Sequence, residues 1–329
     1  MSGSVLLVSQ KVITLFLILF AGMIARKANI IDLAATKKLS VLLLNVTQPF
    51  MIITSFQIEF NAEKLKNGMA IFAFSVVLHV LTAAVAFLYF KPLKNNEPRK
   101  VYEMAMIFSN CAFLGYPVLK VVFGEELGVF YGTFYGIFFT VFIWTYGVYL
   151  ISRKDKNNKD GEKFELPAFK IFKISKISKI FMNAGMISSV IGIIIFIFGI
   201  RLPGVLYDSS KMIGDMTFPL SMIIIGSLIS DMKLKDMFLS LRNYYYVFLK
   251  LLLFPVVVAV ICYMIKLPPL LIYVGTLMLA MPSGANVGIF AETYGADSKL
   301  AAICVGFSTL LSIGSIPLIM FFLSNVLKL

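Results

Sequence analysis

The sequence predicts an all-α polytopic membrane protein, and three observations lead to this prediction. Of the 329 residues, 59% are hydrophobic and only 14% are charged, whereas a soluble domain carries charge on about a quarter of its residues. The apolar residues occur in runs of about 20, the length that a helix needs to cross about 30 Å of hydrocarbon. The strict alternation expected of a membrane β-barrel is absent. We therefore expect a bundle of helices that cross a bilayer.

Ten apolar runs are candidate membrane spans, and a polar segment at 152–179 separates the first five from the last five. The first run has no basic segment before it and no cleavage site after it, so we interpret it as a span and not as a signal peptide. The fifth run has glycines at 128, 132 and 136, a spacing typical of close helix packing. The three cysteines lie within apolar runs, where we expect buried thiols and neither disulfides nor a metal site. The predicted spans are 5–25, 37–57, 68–90, 101–123, 128–151, 180–200, 208–230, 243–265, 270–293 and 299–327.

Basic residues concentrate in the odd-numbered connections between these spans. With Lys250 and Lys299 assigned to the same side, 22 of the 30 basic residues lie there. Because cytoplasmic loops carry the excess of Lys and Arg, we expect both termini on the extracellular side of the plasma membrane. The formal charge of +13 then reflects orientation and attraction to anionic lipid at the cytoplasmic face, and no nucleic-acid partner is expected. Between 170 and 179 a lysine recurs every three residues among Ile and Phe, which predicts an interfacial basic helix.

Two short patterns recur at the same distance along the chain and predict an internal repeat. The pattern Asn-x-Thr-x-Pro at 45–49 returns as Asp-x-Thr-x-Pro at 215–219, an offset of 215 − 45 = 170 residues. Gly124 and Gly295 end the fourth and ninth spans, at an offset of 295 − 124 = 171 residues. A unit of five helices is odd, so the second unit must be inverted relative to the first. The predicted organisation is a first five-helix repeat at 1–151, a cytoplasmic loop with its basic helix at 152–179, and an inverted five-helix repeat at 180–329.

The fourth and ninth spans contain proline, glycine and asparagine where an unbroken helix is not expected. Proline removes a backbone donor and clashes with the preceding turn, and glycine tolerates the unwound backbone that follows. Such backbone survives at membrane depth only inside protein or beside a watered cavity. The helix start beyond each break carries partial positive charge, which suits an anion; a kink used only for packing is the alternative. The candidate substrate-binding residues are Asn110, Gly115, Pro117, Pro282, Ser283, Gly284 and Asn286.

Four ionisable residues inside or near the spans are further candidates. Asp215 on the repeat motif and Glu292 at the end of the ninth span are candidates for binding a coupling H⁺ or Na⁺. A hydrogen-bonded or solvated position at a membrane face is the alternative for each. His79, the single histidine, is a candidate proton relay, and a buried histidine bonded to a helix carbonyl is its alternative. Lys120 lies one turn beyond Pro117, where it either attracts an anion or extends to the outer surface.

The two proline-containing segments resemble those of the auxin efflux carrier family, which includes plant PIN carriers and bacterial permeases for malate and related acids. The stretch 110–124 is similar to the family's fourth-helix pattern of Asn, Gly, Pro, Lys and an aromatic-Gly pair. The stretch 282–294 is similar to the ninth-helix pattern, Pro-x-Gly followed by Ala-x-x-Tyr. The resemblance covers essentially the whole chain. It implies a scaffold of spans 1, 2, 6 and 7, a moving domain of spans 3–5 and 8–10, broken helices 4 and 9 that cross near Pro117 and Pro282, Asn110 at the substrate, and a homodimer.

The residues and the resemblance together favour a secondary transporter of a small mono- or dicarboxylate, such as malate. Alternating access of the elevator type, with substrate at the helix crossing, is the expected mechanism. A Na⁺-coupled symporter of the bile-acid type, to which the fold is similar, is the alternative within this class. A channel requires rings of charge or a continuous polar stripe, and a metabolite sensor requires more output domain than a 28-residue loop. An enzyme is not expected, because no nucleophile–base pair or metal cluster occurs within the spans; no cofactor is implied, and coupling to H⁺ or Na⁺ is left open.

Overall fold

The computed structural model describes residues 2–93, 96–153, 183–230, 237–238 and 240–328. Every named regular element in these ranges is a helix. We number the helices α1 (Ser2–Lys27), α2 (Leu33–Ser55), α3 (Ala62–Phe90), α4 (Asn96–Ile107), α5 (Cys111–Phe123), α6 (Glu125–Ser152), α7 (Ala184–Ile197), α8 (Gly204–Ser230), α9 (Leu241–Met264), α10 (Pro269–Ala280), α11 (Asn286–Thr293) and α12 (Ser298–Val326).

Each of the ten predicted spans overlaps one or two of these helices. Seven helices are long and apolar enough to cross a membrane, and these are α1, α2, α3, α6, α8, α9 and α12. Three shorter apolar helices are α5, α7 and α10. The fourth predicted span consists of α4 and α5, and the ninth of α10 and α11. The fold is thus that of a helical polytopic membrane protein, whereas the inverted repeat stays a prediction. The predicted basic helix at 170–179 lies outside the described residues.

Local sequence explains where several helices begin. A short polar side chain precedes each of five helices, Asn110 before α5 among them, and accepts a hydrogen bond from an amide of the first turn, which otherwise lacks a partner. The Asn61 Oδ1 atom, for example, accepts from the amide of Glu63 at 2.7 Å. The Asp297 Oδ1 atom accepts from the amide of Leu300 at 2.9 Å. Asp32 and Asn183 cap α2 and α7 in the same way.

Three prolines within helices follow a wider turn of π-helical geometry. In α2, α5 and α9 this turn ends two residues before Pro49, Pro117 and Pro255, respectively. Because a proline ring clashes with the preceding turn and lacks an N–H donor, a local widening lets the helix continue past the proline. The π turn of α9 covers Leu249–Leu253 and therefore changes the direction in which Lys250 projects.

One group of packed helices consists of α1, α2, α7 and α8. A side chain at Gly22 would collide with the backbone of Ile223, and one at Gly226 would collide with the carbonyl of Leu19, so α1 and α8 approach closely through glycine. These four helices correspond to the spans expected to form a scaffold, although the division into two moving parts stays a prediction.

The glycine ridge of the fifth span packs α6 against α5, as the sequence predicts. A Cβ atom at Gly132 would lie 2.6 Å from the ring of Tyr116, and one at Gly136 would lie 2.5 Å from the Tyr116 hydroxyl. A side chain at Gly128 would collide with the backbone of Lys120. The prediction of buried thiols is also confirmed, because all three cysteines are buried and free.

The assignment of Lys250 to the basic cytoplasmic side is wrong. This residue lies inside α9, is 1% exposed and donates a hydrogen bond of 2.8 Å to the carbonyl of Met106. Because protein oxygens satisfy its ammonium group, the side chain does not have to extend to water. The count of basic residues on that side falls to 22 − 1 = 21 of 30, which leaves the charge asymmetry intact.

Candidate functional site

The two interrupted helices meet at a short antiparallel junction in the middle of the bundle. The amide of Asn110 donates to the carbonyl of Pro282 at 2.6 Å, and the amide of Gly284 donates to the carbonyl of Phe108 at 2.9 Å. Ser109 and Ser283 face each other as an isolated antiparallel bridge. These bonds satisfy backbone groups that the helix breaks release, which is a requirement for non-helical backbone away from water. We call residues 108–110 and 281–285 the crossover.

Local sequence explains where the two helices are interrupted, before α5 and after α10. Asn110 is the last residue of the segment between α4 and α5. Its Oδ1 atom accepts a hydrogen bond from the amide of Phe113 at 3.2 Å, so Asn110 is the N-cap of α5. Met281 has an extended backbone at the end of α10. The residue before a proline is disfavoured in the helical conformation, so Pro282 favours the end of α10 at this point.

A cavity of about 100 Å³ lies beside the crossover, which is room for several water molecules or a small solute. Helices α2 and α7 form one wall, and α5, α6 and the start of α11 form the other. The cavity is also lined by Cys111, Ala112, Ile143 and Gly185. The polar lining residues are Gln48, Ser109, Asn110, Thr140, Asn183, Ser189 and Asn286. The apolar and aromatic lining residues include Leu44, Ile52, Phe113, Tyr116, Phe139 and Trp144. Among the described residues that line this cavity, none carries a charged side chain.

The starts of α5 and α11 both lie against this cavity. Residues 110–113 and 284–286 contribute to its lining. Within the described part of the chain, the amides of Ala285 and Asn286 have no backbone acceptor, as expected for the first turn of a helix. A helix start carries about half a unit of positive charge. Two such starts therefore give a neutral cavity a positive electrostatic character.

Three of the predicted substrate-binding residues, Asn110, Gly284 and Asn286, line the cavity. The Oδ1 atom of Asn110 is used as a cap, so its amide nitrogen is the part of the side chain left to donate to a ligand. Asn110 is only 5% exposed, and a ligand at this position would be largely shielded from water.

The other four predicted residues do not line the cavity; Pro282 and Ser283 belong to the crossover, and Gly115 and Pro117 lie within α5. Ser283 donates from its hydroxyl to the carbonyl of Ala105 at 2.6 Å, and the Pro282 carbonyl is used by Asn110. A Cβ atom at Gly115 would lie 2.8 Å from the sulfur of Met278. Pro117 lies beside Val12 and Leu15 of α1, away from the cavity.

The candidates for ion coupling lie outside the cavity. Asp215 is half-exposed and forms an ion pair of 3.0 Å with Lys211 one turn earlier. Glu292 is 68% exposed and lies 3.5 Å from Lys37. Both positions correspond to the surface alternatives that the sequence left open.

His79 lies in an aromatic environment within the helical core. Its Nδ1 atom is 2.7 Å from the carbonyl of Ser75, four residues earlier in α3. The rings of Tyr135, Phe138 and Phe139 lie 5.2, 5.6 and 5.8 Å from the imidazole. This geometry corresponds to the carbonyl-bonded alternative, and His79 does not line the cavity.

Lys120 lies in the last turn of α5, at the end remote from the cavity. It forms an ion pair with Glu125, and its ammonium group lies 5.0 Å from the centre of the Phe218 ring. These contacts hold the positive charge close to the end of the helix, where basic groups are favourable.

Sequence reasoning missed two kinds of site residue. Gln48, Asn183, Thr140 and Ser189 line the cavity although no motif marked them. Gln48 had a usable signal, because it directly precedes Pro49 in the repeated pattern of the second span. Lys250 is the other omission: its ammonium donates to Ser109, a cavity residue, as well as to Met106. A lysine well inside an apolar run was the signal.

Comparison with known proteins places the chain in a family. A search of curated proteins finds no match. The family whose description is membrane transport protein matches residues 7–320, nearly the whole chain. The chain therefore belongs to this family of membrane transporters, that of the auxin efflux carriers and PIN-like proteins.

Proposed function

We propose that this membrane transporter carries a small organic anion, a mono- or dicarboxylate such as malate, by alternating access. The observation that carries the proposal is the meeting of two helix starts, α5 and α11, at one polar cavity. The substrate would lie at the crossover, between the amide nitrogen of Asn110 and the free amides at the start of α11. The role is transport without a chemical reaction.

The electrostatics of the cavity favour an anion over a cation. Helix starts present N–H donors and partial positive charge, which bind carboxylates well. No carboxylate occurs among the described lining residues, so nothing there would neutralise a cation. The side-chain amides of Asn110, Asn286 and Gln48 add neutral donors. These bind an anion at a lower desolvation cost than a fixed charge would have.

The position of the cavity supports alternating access. It lies between α2 and α7 on one side and α5, α6 and α11 on the other. These are the two groups of helices that we expect to move relative to each other, and a site between such groups is the common arrangement in secondary transporters. Asn183, which lines the cavity, directly precedes α7 and follows the predicted cytoplasmic loop. We therefore assign this conformation to the inward-facing state, with both termini outside the cell.

Transport by purified protein in liposomes tests the proposal. We expect saturable uptake of labelled malate or a related acid, and a loss of about tenfold in Asn110→Ala, because that variant lacks a charge-assisted hydrogen bond to substrate. Asn45→Ala is the matched control, since Asn45 is exposed and its side chain donates to the carbonyl of Val41 in its own helix. Absence of saturable uptake for every acid tested, or equal rates in the two variants, would overturn the proposal.

Ligand-dependent stability gives a second test that needs no transport. A ligand that binds the folded state raises its apparent stability, by about 2.7 kcal/mol at one hundred times its Kd. We expect dicarboxylates and monocarboxylates to raise the melting temperature, whereas their neutral amides and esters do not. Stabilisation by the neutral analogues to the same extent would argue against an anion site.

A further inference from the structure

The only buried lysine of the second predicted repeat among the described residues has no carboxylate within ion-pair distance. Lys250 lies in the π turn of α9 and is 1% exposed. Its ammonium donates to the carbonyl of Met106 at 2.8 Å and to the hydroxyl of Ser109. A buried charge is costly unless protein groups solvate it. Its presence at this depth therefore calls for a role.

The oxygens around Lys250 belong to the end of a half-helix. Met106 is the penultimate residue of α4, and the last carbonyls of a helix have no partner within it. They also carry the negative end of the helix dipole. In transporters with interrupted helices, such carbonyl ends are where a coupling cation is coordinated. In this chain the ammonium of Lys250 occupies that position.

Polar residues on one face of α9 fix the position of Lys250 relative to α4 and the crossover. The hydroxyl of Tyr102 donates to Asn243 at 2.7 Å, and the hydroxyl of Tyr246 lies against Ser283. Asn243, Tyr246 and Lys250 follow one another at three- and four-residue spacing, so they lie along one side of the helix. These three residues of α9 contact α4 and both segments of the crossover, and Lys250 is the last of them along the helix.

The lysine is one hydrogen bond away from the cavity. Ser109 accepts from its ammonium and also lines the cavity wall. The positive charge is thus close to the proposed anion site, while the side chain itself is kept out of the cavity. Because Ser109 separates the ammonium from the cavity, the charge attracts an anion without a direct ion pair. A direct ion pair would hold the anion too tightly for release.

We propose that the Lys250 ammonium is the resident cation of the crossover, which replaces a dissolved coupling cation and supplies the positive charge for the bound anion. This inference rests on the proposed function. It assigns Lys250 as a positioning residue, since it acts on the substrate through Ser109. It also answers the question of Na⁺ dependence, because the oxygens that would coordinate Na⁺ already hold an ammonium group.

The first experiment uses the unmodified protein. Binding of malate, or of the acid that stabilises the protein most, is measured in sodium, potassium and choline chloride at equal ionic strength. We expect Kd values that agree within about twofold, which corresponds to about 0.4 kcal/mol. A Kd that falls about tenfold or more in sodium relative to choline would overturn the inference.

The second experiment removes the charge. Lys250→Met keeps the length of the side chain, and we expect a folded protein whose anion affinity is about tenfold lower in all three salts. Lys250→Ala leaves a space beside the same oxygens. We expect ethylammonium to restore part of its affinity, at least about threefold, whereas ethanol at the same concentration does not. Wild-type affinity in the folded Met variant would overturn the inference; if the Ala variant does not fold, the Met variant decides.

A third measurement, made without any anion, separates this inference from the proposed function. We expect ethylammonium to raise the melting temperature of Lys250→Ala and to leave that of the wild-type protein unchanged. If it does so while no organic acid binds the wild type, the proposed function fails and the resident cation stands. If acids bind the wild type but the folded Ala variant gains neither stability nor affinity from ethylammonium, the resident cation fails alone.

Discussion

The amide of Gly284 donates a hydrogen bond of 2.9 Å to the carbonyl oxygen of Phe108. With the bond from Asn110 to Pro282, it joins the backbones of two helix breaks that lie far apart in sequence. The breaks are therefore one structural unit and not two independent kinks. A displacement of α4 and α5 must carry α10 and α11 with it, unless both backbone bonds are broken. This coupling is what a substrate site on a moving group of helices requires.

Substitution of Gly284 tests how tightly the crossover is packed. An added Cβ atom would lie 3.3 Å from the carbonyl oxygen of Ser109, closer than ordinary contact. We expect Gly284→Ala to lower transport about fivefold, since overpacking of this size costs about 1 kcal/mol.

Gly288→Ala is the matched control, because nothing lies within 4 Å of a Cβ atom at Gly288, four residues later in α11. Its initial rate of uptake, normalised to reconstituted protein, should equal that of the wild type. Equal losses in the two variants would contradict tight packing at the crossover.

Asp215→Asn tests whether the repeat motif of the seventh span takes part in ion coupling. Asp215 is half-exposed and paired with Lys211 within α8, and exposed pairs of this kind contribute only about 0–1 kcal/mol. We therefore expect stability, uptake rate and ion dependence close to those of the wild type. The measurement is uptake with imposed H⁺ and Na⁺ gradients. A variant that transports but no longer responds to either gradient would restore Asp215 as the coupling residue.

Substitution of His79 distinguishes packing from proton transfer. The imidazole is enclosed by aromatic rings of α6 and bonded to the Ser75 carbonyl. His79 is not among the residues that line the cavity. We expect His79→Phe to keep transport and its pH profile, because phenylalanine fills the same space. His79→Ala should destabilise the protein by about 3 kcal/mol through the cavity it leaves. A pH profile that changes shape in the Phe variant, measured as uptake between pH 5 and pH 8 (about the range of an ordinary histidine), would contradict the packing role.

The helix breaks were predictable because proline and glycine act locally. Pro282 disfavours the helical conformation at Met281, whose backbone is extended, and Asn110 is a side chain that favours an N-cap. Helix existence was equally predictable, since it depends on the length and hydropathy of each run. These features need no knowledge of tertiary contacts.

The residues that line the cavity were harder to predict, because their positions depend on contacts between distant parts of the chain. Lys250 is bonded to Met106, 144 residues away, and hydropathy alone cannot distinguish a buried lysine from one that extends to the surface. Gln48 and Asn183 reach the cavity only because α2 and α7 pack against each other. Conversely, Pro117 was assigned to the substrate from its motif, and its position beside α1 follows from packing that the motif does not encode.

Close approach of α1 and α8 gives a last prediction, about stability. Their backbones meet at Gly226, where a side chain would collide with the carbonyl of Leu19. Small residues at such contacts allow helices in membranes to pack by dispersion and backbone complementarity. We expect Gly226→Ala to lower the free energy of unfolding by about 2 kcal/mol, because the opposing backbone cannot move aside as a side chain would. Gly314→Ala in α12 is the control, since nothing lies within 4 Å of its Cβ position.

Thermal unfolding in detergent, together with the yield of monodisperse protein, measures the effect. The Gly226 variant should melt at a lower temperature than both the Gly314 variant and the wild type. Because Gly226 is not among the residues that line the cavity, the protein that remains folded should bind the anion with wild-type affinity. A Gly226 variant that melts like its control would mean that α1 and α8 separate without cost. In that case α1 and α8 could not form part of the rigid scaffold that the family resemblance implies.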